Sequence, residues 1–220
     1  MEIRETFFLV GRSHSIWEKI LKKGAWFRLK IPLSYQFSEF DCAPVTFLNA
    51  FLYLFDRTMT EPSMIQNIFQ YSLDLSDRKG EIGKGGTSVD AVRQITNWLN
   101  TYSQDKKLGF TCTFLMEDEV NFIKNENIKN YINKGVGITT VCITEGMYHY
   151  ILVVKIDKDY VYFFDPYYTD DKQDQDDIEY VYDKPAEYNR RVKLDWFTSH
   201  EERFYSLGKM ERRKLILINK

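Results

Sequence analysis

Net charge is nearly absent from this chain: 30 Lys and Arg against 32 Asp and Glu leave a formal −2, with both signs interspersed over 220 residues. That excludes the electrostatic footprint of a nucleic-acid binder or of a protein held on an anionic membrane. No window approaches the roughly 18 consecutive apolar residues of a membrane span, so none is expected. The opening MEIRETFFLVGRSHSIWEKI has a short apolar patch, but Arg12, Glu18 and Lys19 follow closely and no small-residue cleavage site appears, which argues against a signal peptide. Cysteine is scarce. Cys42, Cys112 and Cys142 cannot all pair within the chain and their spacing matches no zinc pattern, so a reducing, cytoplasmic setting is expected. Metal and phosphate motifs are also missing. The acidic run Thr169 to Asp177 lacks the glycine and terminal glutamate of a calcium loop, and the GKGG around Gly83 lacks both the Walker spacing and a preceding strand. No metal and no cofactor are therefore expected.

What the chain does have is core-forming material. Hydrophobic residues make up 44% of it, and 15 Tyr and 16 Phe argue for a packed globular chain against disorder. The length suits one domain over 1–220, with a C-terminal elaboration from about 169 to 220. Periodicity predicts a strand over 3–10, a helix over Ser15 to Lys23, a strand over Ala25 to Leu33, a helix over Met64 to Tyr71, a helix capped by Thr87 or Ser88 and running to about Tyr102, and a helix over Glu119 to Asn133. The last of these is expected to turn Val120, Ile123, Ile128, Tyr131 and Ile132 inward. Strands are expected over Phe110 to Met116, Ile138 to Thr144, Tyr148 to Ile156 and Tyr160 to Asp165. Toward the end, Ile178 to Tyr182 reads as a strand, Val192 to Phe197 as an element packing Trp196 inward, and Lys214 to Ile218 as a closing strand.

The chain is organised around Tyr35 to Phe55. From Val45 to Phe55 it is apolar on nearly every face, too long for a strand, and reads as a buried helix. Asp41 is a plausible N-cap and Pro44 is tolerated in a first turn, which places Cys42 at the helix N-terminus. Aligned peptide dipoles and free N–H groups there favour a thiolate, and the same N–H groups suit an oxyanion. Gln36 supplies a second donor if its loop folds back. A small buried cysteine and a surface glutamine fit these residues equally well.

His149 is the only histidine inside an apolar strand; His14 and His200 sit in polar surroundings and read as surface residues. A polar turn at Asp157-Lys158-Asp159 makes a hairpin of its strand and the next. If the turn centres on Asp157, Val153 faces Val161, Ile151 faces Phe163 and His149 faces Asp165. Facing residues bring their Cβ atoms to about 5 Å, close enough for a carboxylate to fix an imidazole tautomer. A lone histidine would read as a satisfied core residue; Asp165 and the helix-capping cysteine reverse that preference.

Gln36, five intervening residues, Cys42 in a DCAP sequence opening a hydrophobic helix, then HYILVV and an Asp165-Pro166 pair 16 residues after the histidine together resemble the papain-like cysteine peptidases, and within them the peptidase C39-like group. That group includes domains that remove double-glycine leader peptides in bacterial peptide exporters, and many stand-alone relatives. The GTS at residues 86 to 88 opening a helix is similar to what stand-alone members show. The resemblance covers about residues 30 to 168; Ala43 departs from it, since the family commonly has glycine there, and the stretch from Tyr167 onward has no counterpart in the compact leader peptidase domain. It implies an α+β, papain-like fold with a helical half packed on an antiparallel sheet. It also implies Cys42 as nucleophile, His149 as general base and acid, Asp165 as its orienter and Gln36 as oxyanion donor. The implied activity is a cysteine hydrolase cleaving an amide bond through a thiol acyl-enzyme, with a peptide or acyl substrate. Acyl transfer from a carrier thioester to an amine, and a degenerate binding module, are the alternatives.

Overall fold

The computed structural model describes residues 31–55, 60–170, 172, 173 and 175–220. The strand expected over 3–10, the helix over Ser15 to Lys23, residues 25–30 of the next strand, and His14 lie outside these; Ile31 to Leu33 are not in strand.

Two kinds of element carry the site. Helix α1, Cys42–Leu54, is the buried helix of the sequence, and Phe47, Ala50 and Phe51 are fully enclosed. Helices α2, Pro62–Tyr71, and α3, Val89–Lys106, follow it. Ser88 caps α3 through a bond from the Ala91 N–H to its hydroxyl at 3.0 Å. Strand β1, Thr111–Met116, leads through a 3₁₀ turn to α4, Glu126–Lys134. The helix expected from Glu119 therefore begins seven residues later, because two asparagines divert the chain. Asn121 accepts from the N–H groups of Ile123 and Lys124, and Asn125 caps α4. Ile123 and Tyr131 face solvent rather than the core, while Val120, Ile128 and Ile132 are buried.

Strands β2, Val136–Thr144, β3, Met147–Ile156, β4, Tyr160–Phe164, β5, Ile178–Tyr180, and β6, Arg190–Lys193, come next. A short helix α5, Leu194–Phe197, buries Phe197 and leaves Trp196 only partly covered; β7, Lys214–Asn219, completes the set. The seven strands form one antiparallel sheet in the order β1-β7-β2-β3-β4-β6-β5. β7 thus lies inside the sheet that bears His149, between β1 and β2.

Both faces of the sheet are covered, which is why β3 reads as a continuous apolar run instead of an alternation. Tyr150, Leu152 and Val154 pack with α1, α2 and α3; Ile151 and Val153 pack with α4, Phe197, Tyr205 and Leu207.

The β3–β4 register differs from the one expected. Asp157 accepts the N–H groups of Asp159 and Tyr160, so the turn runs from Asp157 to Tyr160 and Ile156 pairs with Val161. A bulge between Val153 and Lys155 then sets Val153 opposite Phe163 and Leu152 opposite Phe164, where the ladder ends. His149 and Asp165 are not cross-strand partners; both lie beyond the last pair, where the two strands part.

Candidate active site

Gln36, Cys42, His149 and Asp165 line one cleft of about 620 Å³, and the structure brings all four together. His149 Nε2 stands 2.7 Å from Asp165 Oδ1, so the contact expected from a strand register is made instead by side chains reaching across the gap between β3 and β4. With Nε2 committed to the carboxylate, Nδ1 is the ring nitrogen left to face Cys42, which lies close enough to favour the charged imidazole.

Burial of the His149 ring works against its charged form. The Asp165 carboxylate, by charge and hydrogen bond, and then Cys42 outweigh it and raise its pKa to about 10. Burial of Asp165 disfavours its charge in the same way, but His149, then Tyr205 and the Tyr167 N–H, hold its carboxyl below the ordinary range. The other two thiols are poor nucleophiles. Burial pushes Cys112 up to about 12, and burial with Glu202 and Glu145 nearby raises Cys142.

Asp41 occupies the N-cap position of α1, yet its side chain makes no cap bond to the helix. Its carboxylate turns back to accept the N–H groups of Phe37 and Ser38, at 2.9 and 2.7 Å, and the Ser38 hydroxyl at 2.6 Å. Two consequences follow. The loop carrying Gln36 is tied to the helix that carries Cys42, and the first N–H groups of α1 are left without a side-chain acceptor. Gln36 is fixed from the other side, its N–H donating to the Pro166 carbonyl at 2.8 Å. Its side-chain amide donates to the Ser38 carbonyl at 2.6 Å.

The part of the site that sequence reasoning missed comes from residues 189 to 205. Asn189 clamps the Asp165 backbone, accepting its N–H at 2.7 Å and donating to its carbonyl at 2.8 Å. Tyr205 donates to Asp165 Oδ2 at 2.5 Å, and Arg190 donates to the Tyr205 hydroxyl at 3.3 Å. No local pattern announces these residues; β6 beside β4 brings in Asn189 and Arg190, and backbone bonds to Cys142 on β2 bring in Tyr205.

Ile143, Met147, Tyr148, Tyr167 and Phe204 give one part of the cleft an apolar lining, and Glu39, Lys84 and Gln173 a polar one. Gly85 and Gly86 also line it, and a Cβ at Gly85 would stand 2.6 Å from the Ser76 carbonyl oxygen. The backbone closes there to a distance only glycine allows.

No curated protein sequence matches the chain. Among solved structures it is similar to the peptidase domain of Streptococcus ComA, described as a bifunctional ABC transporter involved in quorum sensing. The two are 14% identical, with a TM-score of 0.39, over 86% of this chain and 97% of that one. The Peptidase_C39 like family matches residues 28–194, past the limit near 168 that the motifs alone suggested. With that match spanning most of its length, the chain belongs to the peptidase C39-like family.

Proposed function

We propose that the protein is a cysteine peptidase that cleaves an amide bond through an acyl-enzyme on Cys42. The observation that carries this reading is the His149 ring bound to Asp165 at 2.7 Å, with Cys42 in the lining of the same cleft and acting on the imidazole. Cys42 Sγ attacks the carbonyl carbon and its proton resides on His149 Nδ1. The oxygen of the tetrahedral intermediate is received by the Cys42 N–H and by Gln36, whose amide has a second N–H beyond the one bound to Ser38. As the C–N bond breaks, His149 gives its proton to the leaving amine. Water, deprotonated by the same nitrogen, then attacks the thioester and returns the thiol. Asp165 keeps the proton on Nε2 throughout. Transfer to an amine instead of water calls for a shielded acceptor pocket; here Met147 on the cleft wall is 60% exposed, which favours water.

The test is the rate of iodoacetamide labelling at each cysteine between pH 5 and 9, read by peptide mass spectrometry in the parent and in His149→Ala. Cys42 is expected to label at least about tenfold faster than Cys112 and Cys142 at neutral pH and to lose that lead without His149. Equal rates at the three cysteines of the parent would sink the proposal.

A further inference from the structure

Asp165 is held by more than the imidazole. Its Oδ1 is shared between His149 Nε2 and the Tyr167 N–H, both at 2.7 Å, while Oδ2 takes the Tyr205 hydroxyl at 2.5 Å. That hydroxyl also accepts from Arg190 Nε at 3.3 Å. Arg190 is among the largest fully buried side chains, yet among the described residues no carboxylate lies within ion-pair distance of it. Its other contacts among the described residues are neutral: the Asn189 carbonyl at 2.8 Å and the faces of Tyr180 at 4.3 Å and Tyr182 at 6.0 Å. Among the described residues, Asp165 is the carboxylate linked to Arg190, through the Tyr205 hydroxyl that bonds to both, and such a link offsets the cost of burying a cation.

The backbone of Tyr205 points the same way. Its φ is +63°, a left-handed conformation that a bulky side chain rarely adopts. It is pinned there by its N–H on the Cys142 carbonyl at 2.8 Å, by the Cys142 N–H on the Ser206 carbonyl at 2.7 Å, and by ring contact with Phe163 and Phe204. A strained residue overdetermined by its surroundings is a mark of a site where the side chain's aim matters.

We propose that Tyr205, backed by the Arg190 cation, is a positioning residue of the proposed reaction: it holds Asp165 against His149 and takes up part of the carboxylate's charge. This rests on the reading of Cys42, His149 and Asp165 given above. A carboxylate facing His149 alone would make the imidazolium reluctant to release its proton to a leaving amine; one shared with Tyr205 and Arg190 holds it less firmly. The charged and titratable groups acting on His149 are Asp165 and Cys42, and those acting on Tyr205 are Asp165 and Arg190.

The chain has three histidines, so the full protein labelled with ¹⁵N-histidine shows three ring systems, and His149 is the one lost in His149→Ala. Its titration is compared in the parent, in Tyr205→Phe, and with 3-fluorotyrosine, a more acidic phenol, placed at position 205. Removing the hydroxyl is expected to raise the His149 midpoint by about half a pH unit or more, and the fluorinated phenol to lower it. A purely packing role would leave the fluorinated protein titrating like the parent, and that result overturns the proposal. The fluorinated protein keeps the shape of the side chain, so it decides the matter even where Tyr205→Phe fails to fold. Cys42 labelling in the same samples separates the two levels. If it ignores His149, the peptidase reading fails; if it follows His149 while neither change at position 205 moves the titration, only the role of Tyr205 fails.

Discussion

At His149 burial and charge pull in opposite directions, and the side chains around it decide the outcome. Its pKa stands at about 10 against an ordinary 6.5, while that of Asp165 lies below its ordinary 3.8. A raised histidine stabilises the fold fully below 6.5 and loses that contribution as pH climbs through about 10. A lowered carboxyl contributes above 3.8 and loses it on acidification. Stability should therefore peak between these limits. We expect the thermal midpoint of the parent to fall by at least about 2 °C between pH 6.5 and 9.5, a slope that His149→Ala lacks. A parallel slope in both proteins would assign the alkaline loss to other groups.

Among elements, the loop from Gln36 to Asp41 does the most with the fewest residues. Asp41 is almost fully buried and spends its carboxylate on that loop rather than on the helix it precedes. Asp41→Asn would set an amide donor against backbone donors, and urea unfolding should show a loss of about 1–3 kcal/mol. Gln36→Ala, at a half-buried position, should cost under about 0.5 kcal/mol while slowing the peptide cleavage proposed above. If the two variants lose stability equally, the loop is not held by Asp41. Elements of this kind differ in how far a sequence announces them. Helix α1 and the cysteine at its start are readable because an apolar run, a proline and an aspartate at the N-cap position are neighbours, although Asp41 makes no cap bond. The His149–Asp165 pair was readable from the hairpin even though its register was not, since one bulge and a four-residue turn shift every pairing. The start of α4 is not readable because apolar residues from Val120 to Ile132 mimic one helix, whereas Asn121 and Asn125 hydrogen-bond locally and break it. Asn189, Arg190 and Tyr205 have no local signature at all; Asn189 and Tyr205 reach Asp165 across 24 and 40 residues, the first by sheet order and the second by a backbone bond to Cys142.

For the molecule as a whole, the sheet joins what the sequence separates. The strand after residue 213 pairs with β1 on one side and β2 on the other, so it is interior despite its late place in the order of synthesis. Among the described residues no helix is long and apolar enough to cross a membrane. Deleting residues 214–220 would strip Leu215, Ile216, Leu217 and Ile218 from both faces of the core and leave two strands with open edges. We expect that protein to show no cooperative unfolding transition by circular dichroism and to aggregate on expression. A soluble, cooperatively folded deletion would show that β7 only decorates the sheet. The same interior strand has a consequence for the making of the protein. On the ribosome, Cys42 and His149 emerge long before the strand that β1 and β2 await, so a nascent or stalled chain carries both residues without the completed sheet. Folding of the sheet thus waits on one of the latest stretches of the chain to be made, since β1 gains its partner and β2 its second neighbour only when Lys214–Asn219 is available.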